Sequence, residues 1–219
     1  MRIHLCAQRT PEWLALRAGK LTGSCAKDML AKIKSGEAAA RRDLKFKLLA
    51  ERLSGQTQED GYVNAAMQWG IDHEAEAVAA YESLTGNMVE AIGFCEHDDL
   101  LAGTSPDGFV GDDGILSIKC PKTATQISYI KNGVEPSEHA PQNSHELWLT
   151  GRAWVDFVSY DPRLPPHLRL FIVRVTRTNA ELDTYDRDAR AFLVELETEL
   201  HALRTITQFS SVLKEASVA

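Results

Sequence analysis

The chain has 219 residues, 44% of them apolar and 25% charged, an ordinary globular balance that excludes disordered, collagen-like and low-complexity architectures. Asp and Glu outnumber Lys and Arg by 31 to 24, giving a net charge of −7. That argues against a protein that coats nucleic acid non-specifically, but it leaves room for a local basic groove or a carboxylate cluster that binds cations.

No apolar run approaches the roughly 18 residues of a membrane span. The opening MRIHLCAQRTPEW has no apolar signal core, so a cytoplasmic chain is expected. Cys6, Cys25, Cys95 and Cys120 form no C-x-x-C pair and are expected reduced and buried.

In chain order, Pro11 opens a predicted helix over 11–16. A turn over 17–24 leads into a second helix over 25–33, with Thr22 or Ser24 as N-cap. A longer helix follows over 37–54, ended near Gly55, and the clearest helical pattern spans 64–85 before Gly86. The texture then changes to short strands at 88–94 and 100–103, and to a hairpin of 107–110 with 114–120 around Gly111-Asp112-Asp113-Gly114. Helices are predicted at 123–131 and 141–150. Strands are predicted at 153–160 and 168–175, the latter nearly all apolar and therefore central. A proline-bearing loop over 161–166 joins them, and a last helix runs over 178–206. The order predicts one α/β or α+β domain over 1–219, with its core at about 8–200.

Chemistry concentrates between Ser105 and Lys119. The hairpin brings Asp107 to Lys119, and Ser117 and Lys119, two apart, share one strand face. An aspartate binds a hard divalent cation through oxygen. A lysine beside it orients a water and helps deprotonate it, and the Ile118 carbonyl is a further candidate ligand. Metal-assisted phosphodiester hydrolysis needs these parts. Alone, Asp107-Gly108 reads as a turn and Lys119 as a surface lysine. The basic residues Arg41, Arg42, Lys45 and Lys47 on one helix fit either a DNA-backbone contact or a solvated face. Trp13, Trp69, Trp148 and Trp154 read as core or interface anchors. No role is assigned to His73, His97, His139, His145 or His167.

Ser105-Pro106-Asp107-Gly108 followed by Ser117-Ile118-Lys119-Cys120-Pro121 resembles the PD-(D/E)-x-K nuclease motif. Further segments agree: Trp13, Arg17, Gly19, Thr22 and Ser24; Trp69-Gly70 with Glu74; Ala140-Pro141-Gln142; and Thr150-Gly151-Arg152 through Trp154, Asp156-Phe157 and Tyr160-Asp161-Pro162-Arg163. Together they are similar to the phage recombination exonucleases typified by lambda exonuclease, the YqaJ-type viral recombinases.

The resemblance implies a restriction-endonuclease-like α/β core, with a mixed central sheet flanked by helices. It implies a 5′→3′ exonuclease on double-stranded DNA that uses Mg²⁺ or Mn²⁺, two ions per site, and acts as a homotrimer. The product would be a 3′ single-stranded tail for a single-strand annealing protein in a phage-type recombination system. Asp107, Glu74, the Ile118 carbonyl and Ser117 would form the metal site, Lys119 would activate water, and Gln142 would hold that water or the phosphate. Arg17 and Ser24, with Thr22, would hold the 5′-phosphate, the fork of Arg and a helix N-terminus both suiting that anion.

One departure stands out: the family's motif usually has Glu or Asp where this chain has Ser117. A serine is neutral and shorter. Three explanations are open: serine is tolerated there; a carboxylate has migrated, with Glu146 on the Gln142 helical face as the candidate; or the site is impaired and the protein binds DNA ends without cutting them.

Overall fold

The structure, a computed structural model, describes residues 1–58 and 64–206. Helix ends follow their capping chemistry. Helix α1 (Pro11–Arg17) begins with Pro11 behind Thr10, whose hydroxyl accepts the Trp13 amide. Helix α3 (Ala39–Ser54) ends at Gly55. Helix α4 (Ala65–Thr85) is capped by Asn64, whose side-chain oxygen accepts the amides of Ala66 and Met67. Helices α5 (Thr123–Asn132) and α6 (Ala140–Thr150) end at Gly133 and Gly151. Helix α7 (Asn179–Thr205) opens with a reciprocal cap between Thr178 and Glu181.

The helix expected over 25–33 is shorter. A 3₁₀ turn at Gly23–Cys25 leads into α2 (Ala26–Met29), which stops after one turn. Ala26 and Met29 are buried, whereas Ile33 is largely exposed, so nothing apolar extends the helix.

Two mixed sheets form. The smaller has four strands in the order β1 (Arg2–His4), β4 (Phe94–Glu96), β5 (Ala102–Thr104), β2 (Leu21–Thr22). The larger runs β3 (Val89–Glu90), β6 (Gly108–Val110), β7 (Gly114–Lys119), β8 (Trp154–Tyr160), β9 (Leu170–Val175). Strands β7 and β8 pair in parallel, which requires the crossover that α5 and α6 supply. This is the helix-flanked mixed α/β architecture expected from the sequence. The smaller sheet differs from the single central sheet expected, and the segment 88–94 divides between the two sheets.

Strand β9 also corrects an expectation: it lies at the sheet edge, not the centre. Its apolar run reflects two covered faces. Phe171 and Val173 pack into one core cluster, and Leu170 and Ile172 into the other.

Those two clusters define the layers. On one face Phe109, Ile115, Val155 and Phe157 meet Leu147 of α6 and Phe192 and Leu196 of α7. On the other, Leu116, Ile118 and Val158 meet Ala77 and Tyr81 of α4. Each fully buried large side chain contributes about 2 kcal/mol of transfer free energy. Side-chain alternation along β7 then puts Ser117 and Lys119 on the Ile115 face, under α6.

The basic residues of α3 are largely engaged within the fold. Arg41 bonds Glu195 and Glu37 at 2.8 Å each, and Lys45 bonds Glu199 at 2.7 Å and Glu37 at 3.0 Å. The pairs with Glu195 and Glu199 tie α3 to α7, so Arg41 and Lys45 are more than a solvated face. Among the cysteines, all free, Cys95 is buried and the other three are only half-buried.

Candidate active site

A cleft of about 500 Å³ opens at the C-terminal end of β7. Asp107, Ile118 and Lys119 form one wall, Glu74 of α4 another, and Tyr129 and His139 a third. A second cleft of about 420 Å³ shares Arg9, Glu74 and Asp107 with it.

The β6–β7 hairpin sets the aspartate. Gly108 pairs with Leu116 and Val110 with Gly114, so one more step of the register puts Asp107 across from Ser117. The Ile118 amide donates to Asp107 Oδ2 at 2.6 Å. Gly108 is needed here for space: a Cβ on it would come within 2.3 Å of Val89 Cγ1. Upstream, Gln8 Nε2 donates to the carbonyls of Ile92 and Pro106, each at 3.0 Å, and Trp13 Nε1 donates to Ser105 Oγ at 2.8 Å. Desolvation raises the Asp107 pKa above the ordinary aspartate value, and the Glu74 charge adds to this. Lys119, the Ile118 amide and Arg9 pull the other way without overcoming it.

Lys119 makes no ion pair among the described residues and lines the cleft. Its neighbour His139 is held neutral, its pKa pushed down to about 4 by burial first and by the Lys119 charge second. Ser117 is 1% exposed, and its hydroxyl has no hydrogen-bond partner.

Helix α6 brings Gln142 and Glu146, one turn apart, onto the same side. Gln142 Nε2 donates to Glu146 Oε1 at 2.9 Å. Glu146 is fully buried, and its Oε2 has no partner. Burial pushes its pKa up to about 7, while the Gln142 bond and the Lys119 charge oppose the shift and the Asp107 charge reinforces it. Gln142 also packs beside the 3₁₀ turn: a Cβ on Gly23 would lie 3.5 Å from Gln142 Cγ.

The turn itself gathers the three residues expected to hold phosphate. Arg17 lies over the Trp13 ring at 4.1 Å, and its Nη2 donates to Ser24 Oγ at 3.4 Å. Ser24 Oγ is 3.2 Å from Thr22 Oγ1. Ser24 is exposed whereas Thr22 is buried, so Thr22 backs the other two. The helix N-terminus invoked for this role is absent, because α2 has a single turn. Side chains, not a helix dipole, would have to bind the anion.

Glu74 reaches the cleft from α4, where Arg9 Nη2 donates to its Oε2 at 2.6 Å. Sequence reasoning missed Arg9, which holds a left-handed backbone at φ 66°, and it missed Gln8 and Tyr129. Nothing in the local pattern marks these residues, because their partners lie far along the chain. The clamp around Trp69 was also hidden: Arg163 stacks on that ring at 4.3 Å and donates to Asp161 and to the Pro121 carbonyl.

Among the described residues no group of three His, Cys, Asp or Glu side chains is drawn together tightly enough to hold a metal by itself. The candidate ligands named from the sequence, together with Glu146, are nevertheless all oxygen: the carboxylates of Asp107, Glu74 and Glu146, the Ser117 hydroxyl and the Ile118 carbonyl. Two of their buried oxygens are unpartnered. That chemistry fits a hard divalent cation.

A mixed sheet with an aspartate–lysine hairpin under covering helices defines a nuclease fold, and the comparisons bear this out. The model of the YqaJ-like viral recombinase domain matches residues 12–153, and the chain belongs to that family. An alkaline exonuclease of Laribacter hongkongensis superposes with a TM-score of 0.82 at 39% identity, over 96% of this chain and 100% of that one. The same enzyme in complex with dAMP matches equally well. A phage-related exonuclease of Haemophilus somnus 129PT, at 15% identity, shares the fold with a TM-score of 0.62 over 84% of this chain and 96% of that one. No curated protein matches the sequence.

Proposed function

We propose that this chain is a DNA exonuclease of the alkaline exonuclease type, degrading double-stranded DNA from a 5′-phosphorylated end in the 5′→3′ direction. One observation carries the reading: Asp107, Lys119 and Glu74 line one cleft, while Gln142, bonded to Glu146, packs beside the turn that presents Arg17 and Ser24. The relative crystallised with dAMP supports it, since a deoxynucleoside monophosphate is the product class of such an enzyme.

Asp107, Glu74, Ser117 and the Ile118 carbonyl would hold Mg²⁺ or Mn²⁺, two ions per site. Bound there, the ions would polarise the scissile phosphate and ease ionisation of the attacking water. Lys119 would orient that water by charge, and Gln142 would hold it or a phosphate oxygen. Water oxygen forms the new P–O bond, and the bond from phosphorus to the 3′ oxygen of the terminal nucleotide breaks. The shortened strand carries a fresh 5′-phosphate, so the Arg17–Ser24 turn would meet the same group after every cycle. Arginine suits this role through its planar fork of donors.

The remaining strand would be a 3′ single-stranded tail, the substrate of a single-strand annealing protein in phage-type recombination. One nuclease domain with its core at about 8–200, assembled as a homotrimer in the cytoplasm of a bacterial host, completes the proposal. No helix among the described residues is long and apolar enough to cross a membrane.

Ser117 favours a second reading, a DNA-end binding protein with an impaired site. Digestion of linear duplex with 5′-phosphate or 5′-hydroxyl ends, with and without Mg²⁺, separates the two. Mg²⁺-dependent release of nucleotides that favours the phosphate and is lost in Lys119→Ala supports the exonuclease. Tight end binding without turnover in Mg²⁺ or Mn²⁺ supports the binding protein.

A further inference from the structure

The hairpin that aligns Asp107 with residue 117 meets a serine there, not an acid. Ser117 is 1% exposed, and its hydroxyl bonds to nothing. Helix α6, which packs on that sheet face, carries the fully buried carboxylate of Glu146. One of its oxygens is fixed by Gln142 at 2.9 Å, and the other has no partner.

A buried carboxylate with an open oxygen is costly unless a cation or donor meets it. No Lys or Arg ion pair reaches Glu146 among the described residues. Lys119 and Asp107 are near enough to act on it electrostatically, so it belongs to the same charge cluster. Glu74, by contrast, already has a cationic partner in Arg9 at 2.6 Å.

We propose that Glu146 is the carboxylate that completes the divalent-cation site next to Asp107, in place of the acid missing at Ser117, with Gln142 fixing its orientation. The proposal rests on the metal-dependent reading above. It makes Ser117 and Glu146 a matched pair: a small residue at 117 leaves room for a carboxylate arriving from the helix. Glu146 then belongs to the metal site itself, and Gln142 is a positioning residue for it.

The test is Mn²⁺ binding by the full chain without DNA, followed by titration calorimetry and by the loss of the free-ion paramagnetic resonance signal. Four proteins are compared: wild type, Glu146→Gln, Ser117→Glu, and the double variant Glu146→Ala with Ser117→Glu. Glu146→Gln keeps the shape and the Gln142 contact, and it is expected to weaken Mn²⁺ binding by about tenfold or more. The double variant is expected to recover most of the loss. Wild-type affinity in Glu146→Gln would overturn the proposal, as would a loss that the carboxylate at 117 does not restore.

If the wild type itself binds no Mn²⁺ at millimolar concentration, the metal-dependent reading fails, and this proposal with it. Should Glu146→Gln not fold, wild-type crystals soaked in Mn²⁺ decide. An anomalous peak within bonding distance of Glu146 Oε2 supports the assignment, and a peak elsewhere overturns it.

Discussion

Gln142 and Glu146 form a hydrogen-bonded pair one turn apart on α6, and the second carboxylate oxygen of Glu146 is buried without a hydrogen-bond partner. The pair has a thermodynamic consequence. The carboxyl is held at about 7 in the folded chain against an ordinary value of 4.5, so ionising it costs the metal-free fold about 3 kcal/mol.

The sign follows from the raised pKa. Below about pH 4.5 the group is protonated in both folded and unfolded chains, and the cost is absent. As pH climbs through 7 the unfolded chain is ionised while the folded one resists, and stability falls. Lowered carboxylates such as Glu96 and Asp161 act in the opposite sense, so the difference between two proteins isolates the effect. Metal-free Glu146→Gln is expected to be more stable than wild type at pH 8, by up to about 3 kcal/mol, and equal to it near pH 4. Urea denaturation of both proteins across that range measures the difference.

Arg17 and Ser24 supply the test of end recognition. Arg17→Ala removes a charge-assisted contact of a kind worth about 1.5–3 kcal/mol, or about tenfold to a hundredfold in discrimination. Competing 5′-phosphate and 5′-hydroxyl duplexes should lose their difference in this variant, while the rate on hydroxyl ends changes little. Ser24→Ala should act in the same direction, more weakly.

The strand before the motif is packed too tightly for a side chain at Gly108. Gly108→Ala would drive a methyl into Val89. An overpacking cost of about 1–3 kcal/mol is expected, seen as a fall in Tm of roughly 2–10 °C for a chain of this size. Gly111→Ala, with nothing near its Cβ but a φ of 56°, should cost less, about 1 kcal/mol.

Under the sheet, Arg174 grips the buried Asp156 through two bonds of 2.8 Å, and Tyr81 adds a third of 2.7 Å. Arg174→Met would strand that carboxylate with Tyr81 alone. A loss of about 2 kcal/mol is expected in chemical denaturation. Arg174→Lys should spare only part of that loss, because one ammonium cannot reproduce the two-pronged grip.

Much of this was legible in the sequence because the signals are local. Hairpin register follows from the Gly111–Gly114 turn, which fixes Asp107 against Ser117. The i, i+4 spacing of Gln142 and Glu146 puts them on one helix face. Asn64, Thr178, Gly86 and Gly151 mark helix ends by their own chemistry. What stayed hidden depends on distant partners. Arg9 and Glu74 are 65 residues apart, and Gln8 reaches Pro106 across 98. Strand β9 reads as central because both faces are covered, a property that hydrophobicity alone cannot tell from a central position. Helix α2 stops early because Ile33 finds nothing to pack against. Arg41 and Lys45 resemble a basic face until Glu195 and Glu199 of α7 are folded onto them.

Polarity of digestion tests the central claim most directly. A linear duplex with a radiolabelled 5′-phosphate, and a parallel one labelled at the 3′ end of the same strand, are incubated with protein and Mg²⁺ beside a closed circle. The account requires early release of the 5′ label as mononucleotide, progressive shortening of the 3′-labelled strand, and an intact circle. Early release of the 3′ label, or cutting of the circle, would contradict it.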